Sequence, residues 1–183
     1  MLIWIFVILA AVAADQLTKQ LVLQFLDRNE SFVVIPKLFR FTYVENRGAA
    51  FGMLDEHRWV FMVVSTVAIV LLIFYMFKFS EKSKLLRAGL SLIIGGGIGN
   101  MIDRVAYGYV VDFIDFYAFP EVWMWVFNVA DACVCIGAGI VALYLIIDIV
   151  KEAKKLKEDK ENEALEPIED TPNEEKEENK ENE

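Results

Sequence analysis

The sequence is poor in the groups that much hydrolytic and metal chemistry relies on. Only one histidine, His57, stands among 183 residues. That argues against histidine-bound zinc and against a Ser-His-Asp triad. The two cysteines, Cys133 and Cys135, lie two apart in an apolar run, so on a helix they point to different sides. No second pair completes a metal site, and a disulfide at that spacing is implausible within a helix. They read as small buried residues, and neither metal nor cofactor is expected. Basic residues are missing ahead of the first apolar run, MLIWIFVILAAVAA. Although Ala11-Val12-Ala13 resembles a cleavage site, the run therefore reads as an uncleaved membrane span rather than a signal peptide.

Apolar residues, by contrast, are abundant: 56% of the chain, with a mean hydropathy of +0.41. A soluble domain is usually about 45–50% apolar, so the excess points to a bilayer. Four membrane-length segments stand out, at about 2–23, 59–79, 85–106 and 123–150. Lys78, Lys82, Lys84 and Arg87 flank the second loop, and Lys151, Lys154 and Lys155 follow the last span. By the positive-inside rule, both termini face the cytoplasm. Tyr107, Tyr109, Tyr117, Trp123 and Trp125 fit an aromatic belt at the opposite interface. Between the first two spans, KLFRFTYVEN alternates apolar and polar side chains, a strand pattern that Ser31 to Ile35 can pair with across Pro36-Lys37. The expected fold is an all-α membrane protein of four transmembrane helices, residues 1–150, with a small extracytoplasmic β-sheet at about 31–52 between helices 1 and 2. Residues 151–183 hold 14 acidic and 7 basic side chains, a net of -7 of the chain's -9, and read as a disordered acidic cytoplasmic tail.

Against this apolar background, the polar residues of GGGIGNMIDRVAYGYVVDFIDFYAFPEVWMWVFNVAD, residues 95–131, are out of place. Charged groups at membrane depth cost about 2.5–3.5 kcal/mol each on insertion scales, and by default they mark function. At about 1.5 Å of rise per residue, Asp15, Asp103 and Asp131 come to one level, in or at the edge of the outer third of a core about 30 Å thick. Asp15 and Lys19 are spaced to pair, with Lys19 snorkelling to the interface. Asp103 and Arg104 read as a mutually satisfied cluster, and Gly95 and Gly99 as a helix-packing face. Two carboxylates close together in low dielectric share a proton and can hydrolyse a peptide bond. Spacing alone does not choose among Asp15, Asp103, Asp112, Asp115 and Asp131. A small proton-coupled transporter also places carboxylates inside a helical bundle, though the other halves of the spans offer few polar groups for a path. A non-enzymatic assembly subunit is a further alternative, one that leaves the acids without a purpose.

Five motifs occur in order: DQLTK (15–19), ENRGAAFG (45–52), GGGIGNMIDR (95–104), VVDFIDF (110–116) and FNVAD (127–131). Together they resemble lipoprotein signal peptidase, the bacterial signal peptidase II family. The resemblance implies a membrane aspartyl endopeptidase that removes the signal peptide of prolipoproteins just before a diacylglyceryl-modified cysteine. It implies a catalytic dyad of Asp112 and Asp131. Asn46, Gly48, Asn100, Arg104 and Asn128 would bind substrate or hold the dyad, and Asp15, Lys19 and Asp103 would support the site. Asp115 has no catalytic role in this matching and reads as interfacial and solvated. The implied partners are a lipid-modified prolipoprotein and membrane lipids, with no nucleic acid. The expected setting is a monomer in the bacterial cytoplasmic membrane with its site at the outer leaflet.

Overall fold

The computed structural model describes residues 2–48, 58–78, 83–118, 121 and 125–165. The described residues form, in order, α1 Leu2–Phe25, β1 Ser31–Ile35, β2 Phe39–Asn46, α2 Arg58–Lys78, α3 Lys84–Ala106, β3 Val110–Phe116, β4 Val126–Phe127 and α4 Val129–Leu165. Among the described residues, three helices are long and apolar enough to cross a bilayer: Leu2–Phe25, Lys84–Ala106 and Val129–Asn162. The helix α2, Arg58–Lys78, has the composition of the expected second span, with a basic residue at each end. Apolar side chains such as Phe6, Leu17, Leu71, Phe74, Ile136 and Ile149 point outward, as lipid-facing helices require.

Glycine lets α3 sit at the centre of residues 1–145. A side chain at Gly95 would meet Ala11 of α1, and one at Gly96 would meet the Ala130 carbonyl of α4. The packing role read for Gly95 and Gly99 therefore holds, with both turned towards α1. At the end of α3 away from the sheet, Met76, Leu86, Leu90 and Ile94 make an apolar cluster with Ile8, Ile69 and Val141 around it. Ser83 caps the N-terminus of α3 by accepting from the Leu86 N–H at 3.2 Å.

The sheet is antiparallel in the order β1-β2-β3-β4. The hairpin of β1 and β2 forms as the alternating pattern indicates, with Phe32 opposite Phe41 and Val33 opposite Arg40. Its turn has Pro36 followed by Lys37 at φ 64°, and the Ile35 carbonyl accepts from the Leu38 N–H at 3.1 Å. Proline then a positive φ marks a type II turn. The sheet is larger than expected, because β3 and β4 come from between α3 and α4 rather than from between α1 and α2. Gly108, at φ 79°, turns the chain from α3 into β3 through a conformation that suits glycine. Val44 of β2 then lies opposite Asp112 of β3, and Asn46 opposite Val110. Val22, Tyr43, Val111 and Phe113 form the core that joins α1 to the sheet.

Other expectations are revised. The last helix begins at Val129, because Val126–Phe127 join the sheet and Asn128 caps the helix; Trp123 lies outside the described residues. From Lys151 α4 continues as a polar helix to Leu165, where disorder was expected. Lysine and glutamate are good helix formers, and their spacing permits pairs such as Lys157–Glu161, at 3.8 Å. Residues 166–183 of the acidic tail, and residues 49–52 of the expected sheet region, lie outside the described residues. Cys133 is half-buried and Cys135 exposed, as an outward-facing apolar helix allows.

Candidate active site

Asp131 owes its position to the start of α4. Asn128 precedes the helix, and its Oδ1 accepts from the Asp131 N–H at 2.9 Å. In return Asp131 Oδ2 accepts from the Asn128 N–H at 3.1 Å, so the two residues make a reciprocal capping box. The Ala130 N–H between them donates to Asp15 Oδ1 of α1 at 2.8 Å. Two carboxylates from different helices thus sit at the positive end of α4, where free N–H groups and the helix dipole favour negative charge.

Asp112 comes from β3 and is almost fully buried. Its Oδ2 accepts from Asn46 Nδ2 at 2.8 Å and its Oδ1 from Asn128 Nδ2 at 2.6 Å. Asn46 is itself oriented, because its Oδ1 accepts from the Gly48 N–H at 3.2 Å. Asn128 Nδ2 also donates to Asn100 Oδ1 at 3.0 Å, and Asn100 Nδ2 donates to Asp131 Oδ1 at 2.8 Å. Asn128 and Asn100 therefore form a bridge of amides from one carboxylate to the other. Burial pushes the Asp112 carboxyl up to about 7, and the charge of Asp131 adds to that, while the Asn46 and Asn128 bonds and Lys19 oppose it. Asp112 thus keeps its proton to a higher pH than an ordinary carboxyl.

Beneath this pair lies a charged cluster. Lys19 Nζ reaches Asp15 Oδ2, Asp103 Oδ2 and Asn100 Oδ1, each at 2.9 Å. Asp103 Oδ2 also accepts from the Val111 N–H at 3.0 Å. The pairing of Asp15 with Lys19 holds, but the snorkelling does not. Lys19 is 1% exposed, because two carboxylates and an amide offer it more than the interface would. Nor are Asp103 and Arg104 each other's partners. Neighbouring residues on a helix point apart, and Arg104 instead donates from Nη1 to the Asn100 carbonyl at 3.3 Å. Its guanidinium lies near enough to feel the charges of Asp112, Asp131 and Asp103. Asn46, Asn100, Arg104 and Asp131 are half-buried and form the accessible side of the cluster.

Sequence reasoning passed over Gln16, whose Nε2 donates to Asp103 Oδ1 at 2.9 Å, to the Gly99 carbonyl at 3.1 Å and to Asp15 Oδ2 at 3.2 Å. Its place in the first motif, one residue after Asp15, was the available signal. Asp115 is corrected too. It is buried rather than solvated, accepting from Arg40 Nε at 2.6 Å and Thr42 Oγ1 at 2.9 Å, because β2 lies directly across from it. Among the described residues, no group of His, Cys, Asp and Glu side chains is arranged to hold a metal ion.

Residues 7–147 match the family described as Signal peptidase (SPase) II. The lipoprotein signal peptidase of Caldanaerobacter subterraneus subsp. tengcongensis is 48% identical over 143 residues, covering 78% of this chain and 94% of that protein. That of Halothermothrix orenii is 44% identical over 139 residues, covering 76% and 92%. A solved structure described as a bacterial membrane enzyme superposes with a TM-score of 0.75 at 31% identity, covering 81% of this chain and 90% of that one. These relatives lend no support to the transporter alternative. The chain belongs to the signal peptidase II family.

Proposed function

We propose that this chain removes the signal peptide from diacylglyceryl-modified prolipoproteins, and that Asp112 and Asp131 hydrolyse the peptide bond just before the lipidated cysteine. The observation that carries this reading is the pair of carboxylates joined through Asn100 and Asn128. Asp112, whose proton is held by burial, is the acid. Asp131, which accepts two N–H bonds at the start of α4, is the base.

Hydrolysis then follows the two-carboxylate scheme. A water placed between the pair gives a proton to Asp131 as its oxygen attacks the scissile carbonyl carbon. The carbonyl oxygen takes the Asp112 proton, leaving a neutral gem-diol. Asp131 next delivers its proton to the amide nitrogen, Asp112 recovers one from a diol hydroxyl, and the C–N bond breaks. The dyad returns to its starting state, with a carboxylic acid on one product and an amine on the other. Asn46 and Asn128 orient Asp112, while Asn100 orients Asp131. Arg104, on the accessible side, is placed to bind the substrate backbone. Gly48 acts through Asn46.

In this reading α1 to α4 all span the cytoplasmic membrane of a bacterium, with both termini in the cytoplasm and a monomeric chain. Lys78, Lys84, Arg87, Lys151, Lys154 and Lys155 mark the inner side. The sheet and the dyad then lie at the outer leaflet, where a lipidated cysteine would be. An apolar cavity of about 420 Å³ between α2 and α3, lined by Ile69, Ile98, Met101 and Val105, offers an apolar signal segment a seat open to lipid.

The test is cleavage of a diacylglyceryl-modified prolipoprotein in detergent by wild type, Asp112→Asn and Asp131→Asn, with Asp27→Asn as an exposed control. Loss of the mobility shift in both dyad variants alone supports the reading. Normal cleavage by either variant removes that residue from the chemistry, and failure of folded wild type to cleave removes the substrate assignment.

A further inference from the structure

We infer that Lys19 is the residue that sets the spacing and orientation of the two aspartates, by tying its ammonium to three groups that each lead to one of them. An ammonium has three N–H donors, and all three of Lys19's are engaged, at 2.9 Å each. The first goes to Asp15, whose other oxygen accepts from the Ala130 N–H, the residue just before Asp131. A second goes to Asp103 Oδ2, which also accepts from the Val111 N–H, the residue just before Asp112. The third goes to Asn100 Oδ1, and because Lys19 can only donate, the Asn100 amide must turn its Nδ2 to Asp131 Oδ1. One buried cation from α1 therefore holds the backbone of β3, the first turn of α4 and the amide bridge between the carboxylates. Gln16 reinforces two of these arms through Asp15 and Asp103.

Stability alone does not account for such a cluster. Replacing buried ion pairs with apolar side chains is often neutral or stabilising, so the pairing is better explained by geometry than by strength. Among the described residues Lys19 bonds to Asp15, Asp103 and Asn100 rather than to Asp112 or Asp131, and it is covered from the accessible side of the site. It acts on the reaction through its three partners, and so is a positioning residue. This inference rests on the dyad reading above.

The experiment compares wild type, Lys19→Met and Lys19→Arg in the full chain in detergent, reading kcat and KM on a lipidated prolipoprotein. It adds binding of two peptides: one carrying a secondary alcohol in place of the scissile carbonyl, as a mimic of the tetrahedral state, and one equivalent to the released signal peptide. A misplacement of about 1 Å costs on the order of 10²-fold in rate, which is the fall in kcat expected for Lys19→Met. Lys19→Arg keeps the charge but not the reach or the donor geometry, and loses about tenfold. KM and the affinity for the product peptide stay within about twofold, while affinity for the alcohol falls in step with kcat. Should Lys19→Met fail to fold, Lys19→Arg decides alone. Wild-type kcat in Lys19→Arg overturns the inference, as does a rise in KM in place of a fall in kcat. If Asp112→Asn cleaves normally, the dyad reading fails first. If Asp112→Asn is dead and Lys19→Arg is normal, only the role of Lys19 falls.

Discussion

At the end of α3 away from the sheet, Gly89 and Gly137 press backbone against backbone, and a Cβ on Gly89 would lie 2.8 Å from the Gly137 carbonyl oxygen. At the sheet end of the same helix, Gly99 cedes its space to a carboxylate instead, and a Cβ there would lie 2.5 Å from Asp15 Oδ2. Both glycines permit close approach, but what approaches differs. The apolar end fixes a distance between helices and little else, since dispersion has no direction. The sheet end fixes angles as well, because hydrogen bonds are directional and each amide has one workable orientation. Position for the bundle and orientation for the chemistry are thus supplied at opposite ends of one helix.

Substitutions can separate these contributions. The largest effect belongs to the proposed dyad: Asp112→Asn or Asp131→Asn lowers the cleavage rate by about 10²–10⁴-fold, as loss of an acid–base group does, while the chain still folds. Gly99→Ala comes next. Pushing Asp15 off the start of α4 should cost on the order of 10² in rate, as a small misplacement does. By contrast Gly89→Ala, with the same added atom, should cost about 1–3 kcal/mol by overpacking while leaving the rate per folded molecule unchanged. If both lower the rate equally, the division between the two ends fails. A rate profile against pH is the third measure. Burial first, and then the Asp131 charge, raises the Asp112 carboxyl to about 7, so the acid form is present below that pH and lost above it. The rate should fall about tenfold per unit well above pH 7. The stabilisation linked to this proton is fully present below the ordinary carboxylate range and fades as pH rises through about 7, and Asp112→Asn should flatten that slope in melting experiments. Smallest is Asp115→Asn. Its partner Arg40 is partly exposed, so the loss should be about 1 kcal/mol of stability with cleavage retained.

Much of the helical frame was legible because length and apolarity are local properties. That Asp15 and Asp103 meet beside the start of α4 was suggested by orientation and helix rise, and the hairpin of β1 and β2 by its alternation. Other features depended on partners far away in sequence. Lys19 looks like a helix-end lysine until Asp103 and Asn100 are brought to it. VVDFIDF gives no clear period, because most of β3 is covered, and Asp115 reads as exposed until Arg40 and Thr42 lie across from it. With only two residues, β4 leaves no pattern at all. Gln16 escaped notice because it does not ionise, and searches for chemistry favour groups that do.

The bond from the Ala130 N–H to Asp15 joins the first helix to the last, across 115 residues. In a chain made from its N-terminus, Lys19, Asp103 and Asp112 all emerge before Asp131 exists. The bond from the Ala130 N–H, and with it the amide bridge between Asp112 and Asp131, therefore waits for the last helix. A chain that stops short of α4 lacks Asp131, and the pair proposed for hydrolysis cannot assemble in it.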